Sequence, residues 1–104
     1  GQKWYVTNLS NGYVTIKNGL GNFNLDVANG ATADNTNMII YNNHGGEAQQ
    51  FKLSVTNNPT QFGILTRVSK DKSCVHLRQY DNTNVVENAY WQGTNQIWQF
   101  EKAQ

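Results

Sequence analysis

A chain of 104 residues with a formal net charge of +1 is long enough for one domain and has no basic field that would attract nucleic acid. Charged residues make up only 14% of the chain, and its many Asn, Gln, Thr and Gly residues suit short strands joined by turns. No apolar run is long enough for membrane insertion, and the single cysteine excludes a disulfide within the chain.

Several stretches, taken in chain order, have the composition of short β-strands. They are rich in Val, Ile, Thr and aromatic residues, most alternate between apolar and polar positions, and turn signals such as Asn11-Gly12 and Asn58-Pro59 separate them. No stretch keeps helical spacing over three turns, so the pattern predicts an all-β fold. The predicted strands are WYVTNL (4–9), YVTIKN (13–18), NMIIY (37–41), FKLSV (51–55), FGILTRV (62–68), SCVHLRQ (73–79) and IWQFEK (97–102).

A Gln-x-aromatic triplet occurs three times at equal intervals of 47 residues, which indicates a repeated unit. We expect each Gln to be buried and to tie the preceding loop to the last strand, because its amide both donates and accepts hydrogen bonds. We expect the aromatic residue, and the apolar residue two positions later, to lie on an inward strand face. The residues concerned are Gln2, Trp4 and Val6, then Gln49, Phe51 and Leu53, then Gln96, Trp98 and Phe100.

Other segments repeat at an offset of 50 rather than 47. The segment YVTI at 13–16 aligns with GILT at 63–66, and Asn24-Leu25-Asp26 aligns with Cys74-Val75-His76. We attribute the three extra residues to a longer hairpin around TNNPTQ at 56–61. This divides the chain into the end of a first unit (1–12), a second unit (13–61) and a third unit (62–104). Each complete unit has four strands, and the repeat thereby adds an NLDV strand at 24–27 to those predicted by composition.

The segment LDVANGATADNTNMIIYNNHGGEAQQF at 25–51 resembles the repeat of ricin-B-type β-trefoil lectins and of the related family 13-like carbohydrate-binding modules. The resemblance implies a β-trefoil of three units, of which this chain supplies about two. Because two units alone would leave a gap in the barrel, we expect a second chain, self-association or the rest of a larger protein to complete it.

The resemblance also implies one shallow sugar pocket in the second unit. Asp26 stands at the family position whose carboxylate accepts hydrogen bonds from sugar hydroxyls, and Tyr41 stands where an aromatic ring stacks on the sugar. His44 and Gln49 complete the predicted carbohydrate-binding set. Ala48 replaces an Asn of the family pattern, so this pocket lacks one hydrogen bond.

The corresponding pocket of the third unit is predicted to be degenerate. His76 takes the Asp position and Asn88 takes the ring position, so neither a carboxylate nor a stacking ring is present. Tyr90 and Trp91 lie nearby and replace the ring only if the loop has shifted. Cys74 stands at a position that carries a disulfide in many relatives, has no partner here, and is expected to be a buried apolar residue.

Taken together, the resemblance implies a secreted, non-catalytic, lectin-like module that needs no cofactor and no metal. It would target a partner catalytic or toxin domain to glycans that contain galactose, xylose or arabinose. The alternative is a structural or protein-interaction trefoil whose sugar sites have decayed, which Ala48, His76 and Asn88 favour. An enzyme fits less well, because no pair of carboxylates can be placed about a common bond.

Overall fold

The computed structural model describes residues 3–78 and 84–99. Within these residues the fold is all-β, with nine strands and three single-turn 3-10 helices at Ala28–Gly30, Glu47–Gln49 and Thr94–Gln96. None of these helices is long or apolar enough to span a membrane. The strands are β1 (Trp4–Asn8), β2 (Val14–Asn18), β3 (Phe23–Val27), β4 (Thr36–Asn42), β5 (Phe51–Val55), β6 (Gln61–Thr66), β7 (Ser73–Leu77), β8 (Val85–Ala89) and β9 (Trp98–Gln99).

Seven of the strands form a closed barrel. Their order around the barrel is β2-β3-β4-β8-β7-β6-β5, and β5 returns to pair with β2. Two of the junctions are short: Val14 with Phe51 joins β2 to β5, and two residue pairs join β4 to β8. The chain therefore closes the barrel without a partner, and the gap expected from the sequence is not found among the described strands.

The strand pairings repeat along the chain. β1, β3 and β5 pair with β2, and β3 also pairs with β4. In the same way β5, β7 and β9 pair with β6, and β7 also pairs with β8. Each strand of the first set thus corresponds to the strand four places later in the chain.

The register of these pairings corrects the alignment expected from the sequence. Val14 pairs with Phe51, and Phe62 pairs with Trp98, so Val14 corresponds to Phe62 and not to Ile64. Segment 13–16 therefore corresponds to 61–64, two residues before GILT. A shift of two residues leaves every side chain on the same face of a strand, so the apolar pattern alone does not distinguish the two alignments.

The register of these pairings also shows where the second half of the chain holds its three extra residues relative to the first half. The turn enclosed by the pair Val55–Phe62 is one residue longer than the turn enclosed by Asn8–Val14. The other two extra residues lie in the turn between β6 and β7, within 66–73. The expectation that all three lie around TNNPTQ is therefore wrong.

The hydrophobic core lies inside the barrel. Its buried members are Val14, Ile16, Val27, Phe51, Ile64 and Val75. Trp98 packs against this cluster, and its indole Nε1 donates a hydrogen bond of 3.0 Å to the backbone oxygen of Val75. Phe51 and Trp98 thus take the inward positions expected from the triplets.

The first strand departs from this expectation. Trp4 is 40% exposed, and Val6 is also exposed, although both were expected on an inward face. The reason is that β1 pairs only with β2 among the described strands, and no described strand covers its other edge. Gln2 and Phe100, which complete the predicted triplet pattern, lie outside the described residues.

Strand β8 is absent from the strands predicted by composition, because its centre is occupied by Glu87. This carboxyl is fully buried; its Oε1 lies 2.5 Å from Thr66 Oγ1, and its Oε2 has no hydrogen-bond partner among the described residues. Burial raises the pKa of Glu87 above its usual value; the Thr66 hydrogen bond acts in the opposite direction, and the Asp34 charge adds to the rise. Burial likewise raises the pKa of the enclosed Cys74 thiol to about 12, so it is an inert core group.

A protonated Glu87 gives a consistent hydrogen-bond chain. The carboxyl would donate to Thr66 Oγ1, whose hydrogen then goes to Ser69 Oγ at 2.7 Å, and Ser69 in turn donates to the Thr66 backbone oxygen at 2.9 Å. Each hydroxyl then donates once. The geometry and the direction of the pKa shift therefore agree that the neutral acid fits the barrel interior.

The first prediction concerns the pH dependence of stability. Between the unfolded-state pKa of about 4.3 and the raised folded-state pKa of Glu87, the folded protein binds more protons than the unfolded chain. The free energy of unfolding should therefore fall as the pH rises through this window, by about 1.4 kcal/mol for each pH unit that the window spans. Glu87→Gln should be more stable than wild type at pH 7, and the difference should shrink towards pH 4 in urea unfolding.

The matched control is Glu47→Gln. Glu47 is exposed and forms a surface ion pair with Arg67 at 3.3 Å, so this variant should show no such gain at pH 7. Comparing each variant with wild type at the same pH cancels the titration of all other groups. A Glu87→Gln protein that differs from wild type equally at pH 4 and pH 7 would show that Glu87 is not the cause.

Candidate functional site

The hairpin of β3 and β4 brings two of the predicted site residues to one side of the barrel. Asp26 pairs with Ile39 across the hairpin, and Tyr41 lies two residues further along β4, on the same face as Ile39. Together with Asn29 and His44 these residues line a pocket of about 290 Å³. The structure therefore brings Asp26, Tyr41 and His44 together as predicted.

Gln49, the fourth predicted residue, lies behind the pocket. It is fully buried, and its Nε2 donates to Asp26 Oδ2 at 2.9 Å and to the Asn42 backbone oxygen at 2.8 Å. Its Oε1 accepts the backbone N–H of His44 at 3.1 Å. Gln49 thus ties the loop after β4 to its own helical turn, as expected, but it is not among the residues that line the pocket.

His44 adds a second fixed contact to the same carboxylate. Its Nε2 lies 3.0 Å from Asp26 Oδ2, and its Nδ1 accepts the Gly46 backbone N–H at 2.9 Å. Because Nδ1 accepts, the neutral ring carries its hydrogen on Nε2 and donates it to Asp26. The left-handed backbone of Gly45, at φ 72°, makes the tight loop that brings Gly46 under the ring.

The pocket therefore presents a carboxylate beside an aromatic ring. Both fixed hydrogen bonds go to Asp26 Oδ2, and Oδ1 has no hydrogen-bond partner among the described residues. The Tyr41 ring is 55% exposed, and its centroid lies 6.2 Å from that of His44. This arrangement offers a charged acceptor and a flat apolar face to the same ligand.

Two further residues of the pocket were missed by sequence reasoning. Asn29 lies just after β3, and its φ of 58° is the left-handed conformation that Asn tolerates better than most residues. Ile39 was assigned to a strand without a role in the site. A period-two count from Tyr41 would have placed Ile39 on the same face.

The second half of the chain repeats this hydrogen-bond frame. Gln96 is fully buried; its Nε2 donates to the Ala89 backbone oxygen at 2.8 Å and to His76 Nδ1 at 3.0 Å. Its Oε1 accepts the backbone N–H of Trp91 at 2.9 Å. Trp91 therefore corresponds to His44, and His76 takes the place of Asp26, as the sequence predicted.

The chemistry at this second position differs because His76 is enclosed by amide groups. Asn95 Nδ2 lies 3.2 Å from His76 Nε2 and donates to the Leu77 backbone oxygen at 2.8 Å. Burial lowers the pKa of His76, with the distant Asp34 charge acting weakly in the opposite direction. The position is therefore occupied by a neutral ring and not by a carboxylate.

The aromatic residues near His76 have different environments. Tyr90 packs against Gly63, where an added Cβ would lie 2.5 Å from its hydroxyl, and that hydroxyl is buried without a hydrogen-bond partner among the described residues. Trp91 is 57% exposed and meets the His76 ring edge-on at 5.3 Å. Asn88, at the position of Tyr41, supplies no ring.

Asn95 also shows what the first pocket lacks. The corresponding residue there is Ala48, whose methyl group cannot make the bond that Asn95 Nδ2 makes to the Leu77 backbone oxygen. The predicted loss of one hydrogen bond at the first pocket agrees with this difference. No group of three or more His, Cys, Asp or Glu side chains within 3–78 and 84–99 is placed to hold a metal ion.

A closed barrel of paired hairpins defines a β-trefoil-like domain. The carboxylate of Asp26 and the exposed ring of Tyr41, together in one pocket, are features of the lectin type. The chain belongs to the family described as ricin-type beta-trefoil lectin domain-like, whose family model matches residues 1–86. Domains of this family are typically non-catalytic. No curated protein matches the chain significantly.

Three solved structures illustrate the likeness. The designed three-fold symmetric protein ThreeFoil has a TM-score of 0.83 and 26% identity, with 92% of this chain covering 69% of that one. An exo-β-1,3-galactanase from Clostridium thermocellum has a TM-score of 0.79 and 25% identity, over 92% of this chain and 21% of that one. A Polyporus squamosus lectin, bound to the epitope Neu5Acα2-6Galβ1-4GlcNAc, has a TM-score of 0.81 and 25% identity, over 95% of this chain and 35% of that one.

The second prediction tests the role of the buried amide. Gln49→Ala removes the donor to Asp26 and Asn42 and the acceptor of the His44 N–H, so it should lower the free energy of unfolding by about 1–3 kcal/mol. The control is Gln99→Ala, because Gln99 is exposed and makes only a 3.5 Å contact with Gln61. Urea unfolding should show little change for the control, and equal losses in both variants would contradict the assignment.

Proposed function

We propose that this chain is a non-catalytic carbohydrate-binding module whose sugar site is the pocket formed by Asp26, Tyr41 and His44. The observation that carries the proposal is the unpartnered Oδ1 of Asp26 beside the exposed Tyr41 ring. A pyranose has an apolar CH face and a polar edge of hydroxyls. It can therefore stack on the ring while a hydroxyl donates to the carboxylate.

Gln49 acts in this proposal as a positioning residue and not as a ligand. Its amide and the His44 ring both donate to Asp26 Oδ2, which fixes the carboxylate and leaves Oδ1 directed to the ligand. The His44 side chain is 43% exposed and lines the pocket, so it is placed to contact a bound sugar as well. A preorganised acceptor binds without the cost of ordering a mobile side chain.

The corresponding position of the second half is proposed to be degenerate as a site of this type. His76 is neutral and enclosed by the amides of Asn95 and Gln96, and Asn88 replaces the stacking ring. One working pocket of about 290 Å³ supports weak binding, with a dissociation constant on the order of millimolar to tens of micromolar. Several copies on one glycan surface would raise the affinity through avidity.

The proposed ligands are glycans that contain galactose, xylose or arabinose, and the neighbours favour galactose among these. One neighbour belongs to an exo-β-1,3-galactanase, and another was crystallised with an epitope that contains galactose. This chain covers 21% of the galactanase chain, so a module of this kind can accompany a much larger protein. We therefore propose a secreted targeting module for a partner catalytic or toxin domain.

We also propose that the chain holds about two of the three units of a trefoil: the end of a first unit at 1–12, a second at 13–60 and a third at 61–104. The third unit starts one residue earlier than the sequence division, because residue 13 corresponds to residue 61. Support comes from the strand pairings, which repeat with a shift of four strands, and from the 69% coverage of the three-fold symmetric ThreeFoil. The exposed Trp4, Tyr5 and Val6 on β1 form an apolar edge that another chain or a second copy would cover.

The third prediction tests the sugar site. Asp26→Asn keeps the shape of the side chain but removes its charge, and hydrogen bonds to a charged group are worth about 1.5–3 kcal/mol. It should weaken binding to galactose-, xylose- or arabinose-containing oligosaccharides roughly ten-fold or more in calorimetric titration, since about 1.4 kcal/mol corresponds to ten-fold. Tyr41→Ala should abolish measurable binding while the protein remains folded.

Tyr5→Ala and His76→Ala are the controls for these variants. Tyr5 is about as exposed as Tyr41 but lies on β1, away from the pocket, so its loss should not change sugar affinity. His76→Ala should also change binding little. If wild type binds and Asp26→Asn binds equally well, the site lies elsewhere. If wild type binds nothing on a broad glycan array, the protein-interaction trefoil becomes the better explanation.

The fourth prediction concerns assembly. At tens of micromolar, light scattering should give a mass above that of one 11.7 kDa chain, because the apolar edge of β1 is otherwise exposed to water. Replacing Trp4 and Val6 together by Ser should lower the observed mass. The control is Leu20→Ser, which changes an equally apolar exposed residue on a turn. A wild-type chain that stays monomeric and unfolds cooperatively would count against the proposed association.

A further inference from the structure

A concavity larger than the Asp26 pocket lies away from it, between the turn that joins β5 to β6 and the loop that precedes β9. It encloses about 540 Å³, within the range of roughly 300–1,000 Å³ usual for small-molecule sites. Four amide side chains and two aliphatic ones form most of its wall: Asn57, Asn58, Gln61, Gln92, Val55 and Ile97. None of the lining residues within 3–78 and 84–99 is charged.

In the first half of the chain, the counterpart of this groove lies between the β1–β2 turn and the loop before β5, and hydrogen bonds close it. There Asn11 Nδ2 donates to Gln50 Oε1 at 3.0 Å, and Gln50 Nε2 donates to the Gly45 backbone oxygen at 3.2 Å. These bonds tie the β1–β2 turn to the loop before β5. In the second half, the residue corresponding to Gln50 is Ile97, which has no amide with which to make them.

Two other differences distinguish this groove from its counterpart in the first half. The turn after β5 is one residue longer than the turn after β1, as the register of the flanking strands shows. The residue corresponding to Gly45 is Gln92, and it keeps the left-handed backbone, with φ 64° against 72° for Gly45. An L side chain is strained in this conformation, and such strain is found most often where the side chain has a function.

The amide groups of this groove are available to a ligand. The side chains of Asn57 and Gln92 make no hydrogen bond within residues 3–78 and 84–99, and both residues are exposed. Asn58 uses its Oδ1 for the backbone and hydroxyl of Thr60, and its amino group has no partner in the part of the chain that the structure describes. Val55 is 77% exposed and adds an apolar surface on the same wall.

We propose that this groove is a second binding site, specific for an uncharged, hydroxyl-rich ligand, namely a segment of a neutral oligosaccharide. Amide side chains both donate to and accept from hydroxyl groups, and the aliphatic residues offer contact to the CH positions of a sugar. The lining residues that the structure describes carry no charge to pair with an anionic or cationic ligand. The groove does not include Asp26 or Tyr41, so it would bind whether or not the first pocket does.

Nuclear magnetic resonance of the side-chain amides tests this proposal residue by residue. The wild-type protein, labelled with ¹⁵N, would be titrated separately with xylotetraose, β-1,3-galactotriose and maltotetraose. At least one of these should shift the amide signals of Asn57 and Gln92 in a saturable way. The Asp26→Ala protein should show the same shifts, which separates this site from the proposed sugar pocket.

Gln92→Gly is the decisive variant, because it restores the glycine found at the corresponding position of the first half. This substitution should raise the melting temperature, because a glycine adopts the left-handed backbone without strain. It should also raise the dissociation constant of the oligosaccharide, measured from the shift of the Asn57 side-chain amide signal, at least ten-fold. Asn22→Ala, which changes an exposed amide between β2 and β3, away from the groove, should leave that binding unchanged.

Three results would overturn the proposal. One is that none of the three oligosaccharides moves these amides at tens of millimolar. Another is that Gln92→Gly binds as tightly as wild type. The third is that an uncharged Gly-Ser peptide shifts the amides while the oligosaccharides do not, which would make the groove a peptide site.

Discussion

Two buried glutamine amides, Gln49 and Gln96, set the geometry of the loops on which any binding by this chain depends. Each accepts a backbone N–H from the residue five positions earlier and donates to the backbone oxygen seven positions earlier. Each also donates to the side chain at the same place on the neighbouring hairpin, Asp26 in one case and His76 in the other. A fully buried amide must satisfy both of its polar atoms, and this requirement fixes the loop.

The same frame carries different chemistry in the two halves of the chain. The first half holds an ionisable carboxylate with one free oxygen beside the exposed ring of Tyr41. The second half holds a buried neutral imidazole, with Trp91 in place of His44. The frame depends on the two glutamines and on backbone groups. The exchange of Asp26 for His76, and of His44 for Trp91, therefore changes the chemical groups presented to a ligand without changing the fold.

Much of the fold follows from simple patterns. Period-two alternation and the internal repeat gave the positions of eight of the nine strands. Gln49 and Gln96 were expected to be buried, because a glutamine amide can donate and accept the hydrogen bonds that tie a loop to a strand. Composition did not mark strand β8, because a buried glutamate at its centre gives no apolar signal, and only the four-strand unit implied a strand there. The two-residue error in aligning β2 with β6 arose because a shift of two keeps each side chain on its face.

The site was predictable only in part. Resemblance to a family placed Asp26, Tyr41 and His44, and the structure brings these three to one pocket. It did not show that Gln49 is enclosed behind Asp26, because the depth of a side chain depends on how the loop folds over it. Nor did local sequence show that β1 would be exposed, since that depends on which strands lie beside it.

A crystal structure of the chain soaked with a galactose-containing oligosaccharide tests most directly whether the Gln49 frame presents Asp26 to a sugar. We expect a pyranose stacked on the Tyr41 ring, with a hydroxyl bonded to Asp26 Oδ1 and with Gln49 unmoved and out of contact with the ligand. Ordered sugar elsewhere on the molecule with this pocket empty, or a Gln49 side chain that swings out to bind the sugar, would contradict this explanation.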